Sequence, residues 1–317
     1  MRALVFDEGL IYRDDLPIPR PHNNEALIRV TCAGICNTDL EIIKGYMGFK
    51  GIPGHEFVGV VEECANKELI GKRVVGEINI SCGKCDYCMN GLWNHCKQRT
   101  VVGILNREGA FADHIAIPID NIHVIPDSVS DEEAVFVEPL AAGFEILRQV
   151  DIVPSDRVCV LGDGKLGLLI AQVLSMTGCD LTVIGNHRSK LLILDELGIK
   201  TELSSVFAHI DMDVVVECSG SGSGMERALN IVKPRGKIIL KTTVADRGSI
   251  DLNLVVINEL SIIGSRCGPF PDAINAINAG QVKLYPLISA EYSIEEGVRA
   301  FEHASERGAL KVILKFD

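Results

Sequence analysis

Four cysteines stand in one short run, SCGKCDYCMNGLWNHC: Cys82, Cys85, Cys88 and Cys96, spaced C-x2-C-x2-C-x7-C. Links this short and rich in turn residues bring four thiolates onto one tetrahedral zinc. Gly83 and Gly91 permit the tight bends, and Lys84 and Lys97 offset part of the negative charge. An iron–sulfur cluster is the main rival. Bacterial ferredoxin runs, however, close with a three-residue gap followed by proline, whereas here the gap is seven and Lys97 follows. A closed tetrathiolate has no open position, so this lobe stabilises and does no chemistry. The reaction has to be sought elsewhere in the chain.

A chain of 317 residues is expected to form two domains, or one with a large insertion. Its net charge of −12 argues against nucleic acid or an anionic membrane surface as partner. The first residues, MRALVFDEGL, place Asp7 and Glu8 where a secretory leader needs an apolar core. No uninterrupted apolar stretch approaches the ~20 residues that span a bilayer. The eleven cysteines, an odd number, then fit a reducing cytoplasm, with thiols buried or bound to metal.

Up to about residue 117 the chain reads as short strands and turns: MRALVF, EALIRVTCAG, FVGVVEEC and KRVVGEI. DEEAVFVEPLAAGFEILRQV reads as one helical segment with Ser130 as its N-cap. From Arg157 to Gly264 strands alternate with helices, which predicts a parallel sheet covered on both faces. The tail holds an amphipathic helix and a last strand, KVILKF, expected to rejoin the first domain. The expected boundaries are a β-rich domain over 1–139 with the cysteine lobe near 81–97, an alternating strand–helix domain over 140–265, and a return to the first domain over 266–317.

Gly162-Asp163-Gly164-Lys165-Leu166-Gly167 lies between the strand RVCVL and the helix LGLLIAQVL. In that position a GxGxxG motif supplies a tight turn, close backbone approach to a pyrophosphate and a helix N-terminus facing it. The second strand ends some 18 residues after Gly167, where a carboxylate would read the ribose 2′-hydroxyl of NAD. Asn186, His187 and Arg188 stand there instead, with Lys190 close behind. With no carboxylate to repel a 2′-phosphate and Arg188 to attract one, the loop favours NADP over NAD. Ser219, in ECSG after the strand DVVV, lies where such a sheet meets its dinucleotide.

Cys36 in GICNTDLE, His55 and Glu56 in GHEFVG, and Glu138 in VEPLA offer one sulfur, one imidazole and two carboxylates. That ligand set suits a catalytic zinc with an exchangeable position. Taken in order, GICNTDLE, GHEFVGVVE, the four-cysteine run, VEPLA, LGDGKLG and VVECSG resemble the medium-chain, zinc-containing alcohol dehydrogenase family over essentially the whole chain. The glutamate of VEPLA resembles the polyol and threonine dehydrogenase branch, which carries carboxylate where liver-type enzymes carry cysteine.

The resemblance implies an α/β fold: a β-rich chaperonin-10-like catalytic domain plus a Rossmann doubly wound parallel-sheet domain, with the active site in the cleft between them. It carries catalytic zinc ligation onto Cys36, His55 and Glu138, with Glu56 either a direct, exchangeable ligand or an outer neighbour. Thr38 matches the hydroxyl that accepts the alcohol proton. Asp39 matches a residue that orients a ligand imidazole. Glu41 replaces the histidine that relays the proton in several relatives. The implied reaction is hydride transfer between an alcohol, secondary or polyol-type, and a nicotinamide. Two rivals remain open: a zinc-independent quinone or enoyl reductase of the same superfamily, and a nonenzymatic zinc-ribbon module. A homodimer or homotetramer is expected, with the strand LSIIG pairing edge to edge.

Overall fold

Strand Glu25–Ile35 organises the first half of the molecule. It pairs antiparallel with Glu56–Cys64 along its length, with His114–Pro118 over its first residues and with Lys311–Lys315 over its last. The sheet runs in the order Ile288–Ser293, Lys311–Lys315, Glu25–Ile35, Glu56–Cys64, Arg73–Gly76 and Ile122–Val124. KVILK thus does return to the N-terminal sheet. The register sets Gly34 opposite both Glu56 and Ile313, and Val312 opposite Ile35. Residues far apart in sequence therefore meet where this strand ends, beside Cys36.

In the computed structural model, residues 1–207, 210–242 and 250–317 are described. The chain divides into Met1–Glu138 with Phe270–Asp317, and Pro139–Pro269. No helix among the described residues is long and apolar enough to cross a membrane.

The second unit is a six-stranded, all-parallel sheet. Its order is Lys200–Leu203, Asp180–Gly185, Arg157–Leu161, Met212–Glu217, Val232–Leu240 and Ser261–Gly264. This is the 3-2-1-4-5-6 order of a Rossmann fold, which reverses direction between Arg157–Leu161 and Met212–Glu217. Strands buried on both faces need continuous apolar runs, and Val158, Cys159, Val160 and Val214, Val215, Val216 supply them. One face packs Ile184, Val215 and Ile238 against Ala228, Leu229 and Ile231 of helix Gly222–Ile231.

One expectation fails locally. DEEAVFVEPLAAGFEILRQV forms two helices, Asp131–Ala134 and Val137–Gln149. Ser130 does cap the first, in a reciprocal capping box with Glu133. The break follows from Pro139, which has no N–H for the Val135 carbonyl and whose ring crowds it. Proline is tolerated in the first turn of a helix, so a new helix starts around it and places Glu138 in that turn.

Candidate active site

Cys36 sits at the junction between strand Glu25–Ile35 and helix Asn37–Ile42, in extended backbone as the helix N-cap. Asp39, three residues on, folds back so that its Oδ2 accepts the Cys36 N–H at 2.8 Å. This capping turn explains the local sequence: one short helix fixes the sulfur and a buried carboxylate together. His55 and Glu56 lead into the neighbouring strand Glu56–Cys64, and both are buried. Ligand atoms of Cys36, His55 and Glu56 all lie within 4.8 Å of one another. Glu138, half-buried, is not a member of that close group.

The electrostatics of the group are those of a cation site. Asp39 Oδ1 lies 3.2 Å from His55 Nδ1, which leaves Nε2 for a metal. Asp39 Oδ1, His55 Nδ1 and Glu56 Oε1 are nonetheless buried without a hydrogen bond of good geometry. Burial opposes a charged imidazole here, but the Asp39 carboxylate, with contacts to Asp39 and Cys36, outweighs it and holds His55 well above its ordinary pKa. The pocket thus draws positive charge. With Cys36 as a ligand thiolate, three anions (half-buried Cys36 with buried Asp39 and Glu56) face one buried cation, and a divalent ion closes the balance. The donor set of sulfur, imidazole and carboxylate fits zinc.

That buried cation is Lys311, from the strand that pairs with Glu25–Ile35. It is fully buried and ion-paired with Glu56 Oε2, and its ammonium lies 5.5 Å from the centroid of the Phe136 ring. Burial disfavours its charge, yet Glu56 and then Cys36 raise its pKa overall. Gly34 leaves the room: a Cβ there would stand 2.7 Å from Glu56 Oε2 and 3.1 Å from Lys311 Cδ. Sequence reasoning passed over Lys311. Its one signal was a lysine set directly before an apolar run, Val312–Leu314, in a short strand.

Thr38 Oγ1 is 3.9 Å from Cys36 Sγ, half-buried, so a hydroxyl borders the cluster. Glu41 lies one turn from its neighbour Lys44 and pairs with it at 2.9 Å.

Cys82, Cys85, Cys88 and Cys96 also converge within 4.8 Å. Their sulfur separations of 3.5 Å (Cys85–Cys88), 3.8 Å (Cys85–Cys96) and 4.0 Å (Cys82–Cys88) bracket the ~3.8 Å of a tetrahedron built with Zn–S bonds of about 2.3 Å. Sulfurs this close hold protons unequally. The Lys84 amide foremost pulls Cys82 down to about 6. Cys85 is pushed up to about 11, because burial and the other three sulfurs outweigh the favourable Cys88 amide. A divalent ion takes the place of such shared protons.

In the second unit the three glycines of the GxGxxG motif have separate reasons. Gly162 has φ +129°, closed to most side chains, and a Cβ at Gly167 would meet the Gly162 carbonyl oxygen at 2.1 Å. A Cβ at Gly164 would meet nothing within 4 Å: it would project into open space at the N-terminus of helix Lys165–Ser175. That free space before an 11-residue helix fits a pyrophosphate. Lys165 and Leu166, both half-buried, open the helix. Ser219 donates its hydroxyl to Glu217 Oε1 at 2.5 Å and shapes the turn after strand Met212–Glu217. Asn186 is exposed, His187 half-buried, and Arg188 is ion-paired with Asp195 at 2.8 Å. The premise that no carboxylate stands near this loop is corrected by the structure: Asp163, from the glycine motif, reaches it.

A Rossmann sheet bearing a glycine cradle, with a sulfur–imidazole–carboxylate cluster in the companion unit, defines a metal-dependent, nucleotide-using oxidoreductase. Residues 22–127 match the alcohol dehydrogenase GroES-like domain, and residues 166–279 match the zinc-binding dehydrogenase domain. The chain belongs to the zinc-binding alcohol dehydrogenase family, and it is an oxidoreductase acting on CH–OH with a nicotinamide cofactor. It is 31% identical over 325 residues to L-threonine 3-dehydrogenase of Coxiella burnetii, covering 95% of this chain and 94% of that one. It is 29% identical over 341 residues to sorbitol dehydrogenase of Halalkalibacterium halodurans, covering 99% of each. A solved structure of an alcohol dehydrogenase from E. coli complexed with NADH superposes with a TM-score of 0.91 at 26% identity, covering 100% of this chain and 99% of that one.

Proposed function

We propose that this enzyme interconverts a secondary, polyol-type alcohol and its ketone, with Cys36, His55 and Glu138 holding a catalytic zinc and Cys82, Cys85, Cys88 and Cys96 a structural one. The observation that carries the reading is the convergence of half-buried Cys36 with buried His55 and Glu56, with the four-cysteine set as a separate centre. Relatives named for sorbitol and threonine support an alcohol flanked by polar groups. Zinc held there would supply the Lewis acidity that lets an alcohol lose its proton near neutral pH, and a nicotinamide held by the second unit would supply hydride acceptance.

The chain's own residues do the rest. Asp39 orients the His55 ring through Nδ1. Thr38, beside the Cys36 sulfur, accepts the alcohol proton and passes it on. Glu41, near solvent and held by Lys44, occupies the relay position. Glu56 serves as the exchangeable carboxylate. Lys311 holds it by Oε2, so it yields its place to substrate without becoming an isolated buried charge. Gly162, Gly164 and Gly167, with Lys165, Leu166 and Ser219, form the cofactor cradle, and Asn186, His187 and Arg188 border its adenosine end. The NADP preference read from that loop rested on Arg188, which is paired with Asp195, and on an absent carboxylate, where Asp163 reaches the loop.

Strand Ser261–Gly264 ends the Rossmann sheet, and helix Leu252–Ile257 beside it exposes Val256 and Ile257 at 75% and 74%. An open edge beside exposed apolar side chains supports pairing of two copies. Eleven cysteines without a disulfide support a reducing compartment such as the cytoplasm. The test is a screen of polyols, 1,2-amino alcohols and ketones with zinc-loaded protein and both nicotinamides. Turnover of at least one polyol-type alcohol, abolished by chelation and restored by zinc, is the expected result. Tight dinucleotide binding with no hydride transfer to any alcohol–ketone pair would sink the assignment.

A further inference from the structure

Read along the chain, the loop after strand Asp180–Gly185 has two cations and no acid. Folding supplies the acid from elsewhere. Asp163, the second residue of the glycine motif, is only 7% exposed. Its Oδ2 accepts the backbone N–H of Asn186 at 2.7 Å and of His187 at 2.6 Å. Its two oxygens lie 3.1 and 3.2 Å from His187 Nδ1. Gly185 is matched to it, since a Cβ there would stand 2.5 Å from Asp163 Oδ2. The carboxylate is thus fixed at the carboxyl end of the second strand, where Rossmann domains read the adenosine ribose.

The neighbouring cation already has partners. Arg188 gives its guanidinium to Asp195 at 2.8 Å and reaches Thr201 Oγ1 at 3.4 Å. A ribose 2′-hydroxyl donates readily to a carboxylate; a 2′-phosphate meets it as a like charge.

We propose that Asp163 is a specificity-determining residue that makes this domain select NAD(H) over NADP(H), the reverse of what the loop residues alone imply. The inference rests on the dehydrogenase reading only in that the domain binds a nicotinamide dinucleotide. The discriminating charge comes from the phosphate-binding turn and is handed across to the second strand's amides.

The test is a fluorescence titration of the zinc-loaded full chain with NADH and with NADPH. It is run at pH 8, above the ordinary imidazole range, at one ionic strength. NADH is expected to bind at least tenfold more tightly than NADPH. Asp163→Asn keeps an oxygen for the two N–H groups and removes the charge, and should narrow that ratio tenfold or more, chiefly by tightening NADPH. Arg188→Gln should leave the ratio within twofold, because Asp195 already holds the guanidinium. A wild-type ratio near one, or a preference for NADPH, overturns the proposal whatever the variants do, and so does an unchanged ratio in a folded Asp163→Asn protein. Those outcomes leave the dehydrogenase reading standing. If neither dinucleotide binds, that reading falls, and this one with it.

Discussion

The two metal-competent clusters of this chain differ in every respect that matters for chemistry. Cys82, Cys85, Cys88 and Cys96 come from one contiguous run, share one donor type and satisfy a tetrahedron by themselves. Cys36 and the adjacent pair His55–Glu56 come from two segments, mix three donor types and are surrounded by further buried charges, Asp39 and Lys311. With an ion bound, the first would be complete and have nothing left to offer a substrate. The second mixes donors around an unpartnered carboxylate oxygen, Glu56 Oε1, and an imidazole whose Nδ1 faces Asp39, which leaves demand for an ion and what the ion binds. On the proposed reading, saturation marks the structural centre, and residual demand marks the reactive one.

That contrast can be broken at either end. The largest effect is expected for His55→Ala, which should lower kcat about a thousandfold or more while circular dichroism and the four-cysteine lobe are retained. Metal analysis should then find one zinc lost per chain; undiminished turnover would refute the assignment of the reactive centre. Next comes Lys311→Met, which strands Glu56 as a buried unpaired charge and should destabilise the fold by roughly 3–5 kcal/mol. Adding Glu56→Gln should recover at least half of that loss in chemical denaturation, and no recovery would show that the pair is not coupled.

Cys88→Ser tests the other cluster. It should remove the structural ion and lower Tm, with each kcal/mol read as about 2–4 °C, while kcat of the folded fraction stays within about twofold. A matching collapse of kcat would erase the division of labour. The smallest effect belongs to Asp39→Asn, which keeps the Cys36 cap but loosens the hold on the imidazole. Zinc affinity at the reactive centre should fall about 10- to 100-fold, measured by competition with a chelator, with no change at the lobe.

What could be read in the sequence follows the same divide. The four-cysteine lobe and the glycine cradle are local, so spacing alone carries their geometry. The alternation from Arg157 to Gly264 gave the parallel sheet because each strand and helix there is a continuous apolar signal. Lys311 was invisible for a physical reason: its partner Glu56 is 255 positions away, and only the register of Lys311–Lys315 against Glu25–Ile35 brings them together. Asp163 was hidden differently. It occupies a position of the glycine motif that the pattern leaves free, and its target is a pair of backbone amides, which carry no residue-type signature. The helix break was legible in Pro139 and was overridden by the helical pattern on both sides.

The seating of strand Lys311–Lys315 against Cys32–Ile35 also bears on how the molecule is made. At a synthesis rate of about 5–20 residues per second, the interval between Glu56 and Lys311 lasts on the order of 10–50 s. Throughout that time the last residues of Glu25–Ile35 present an open hydrogen-bonding edge next to a carboxylate with no counter-ion. The N-terminal sheet therefore closes, and the Glu56 charge is matched, only once the last strand has been made.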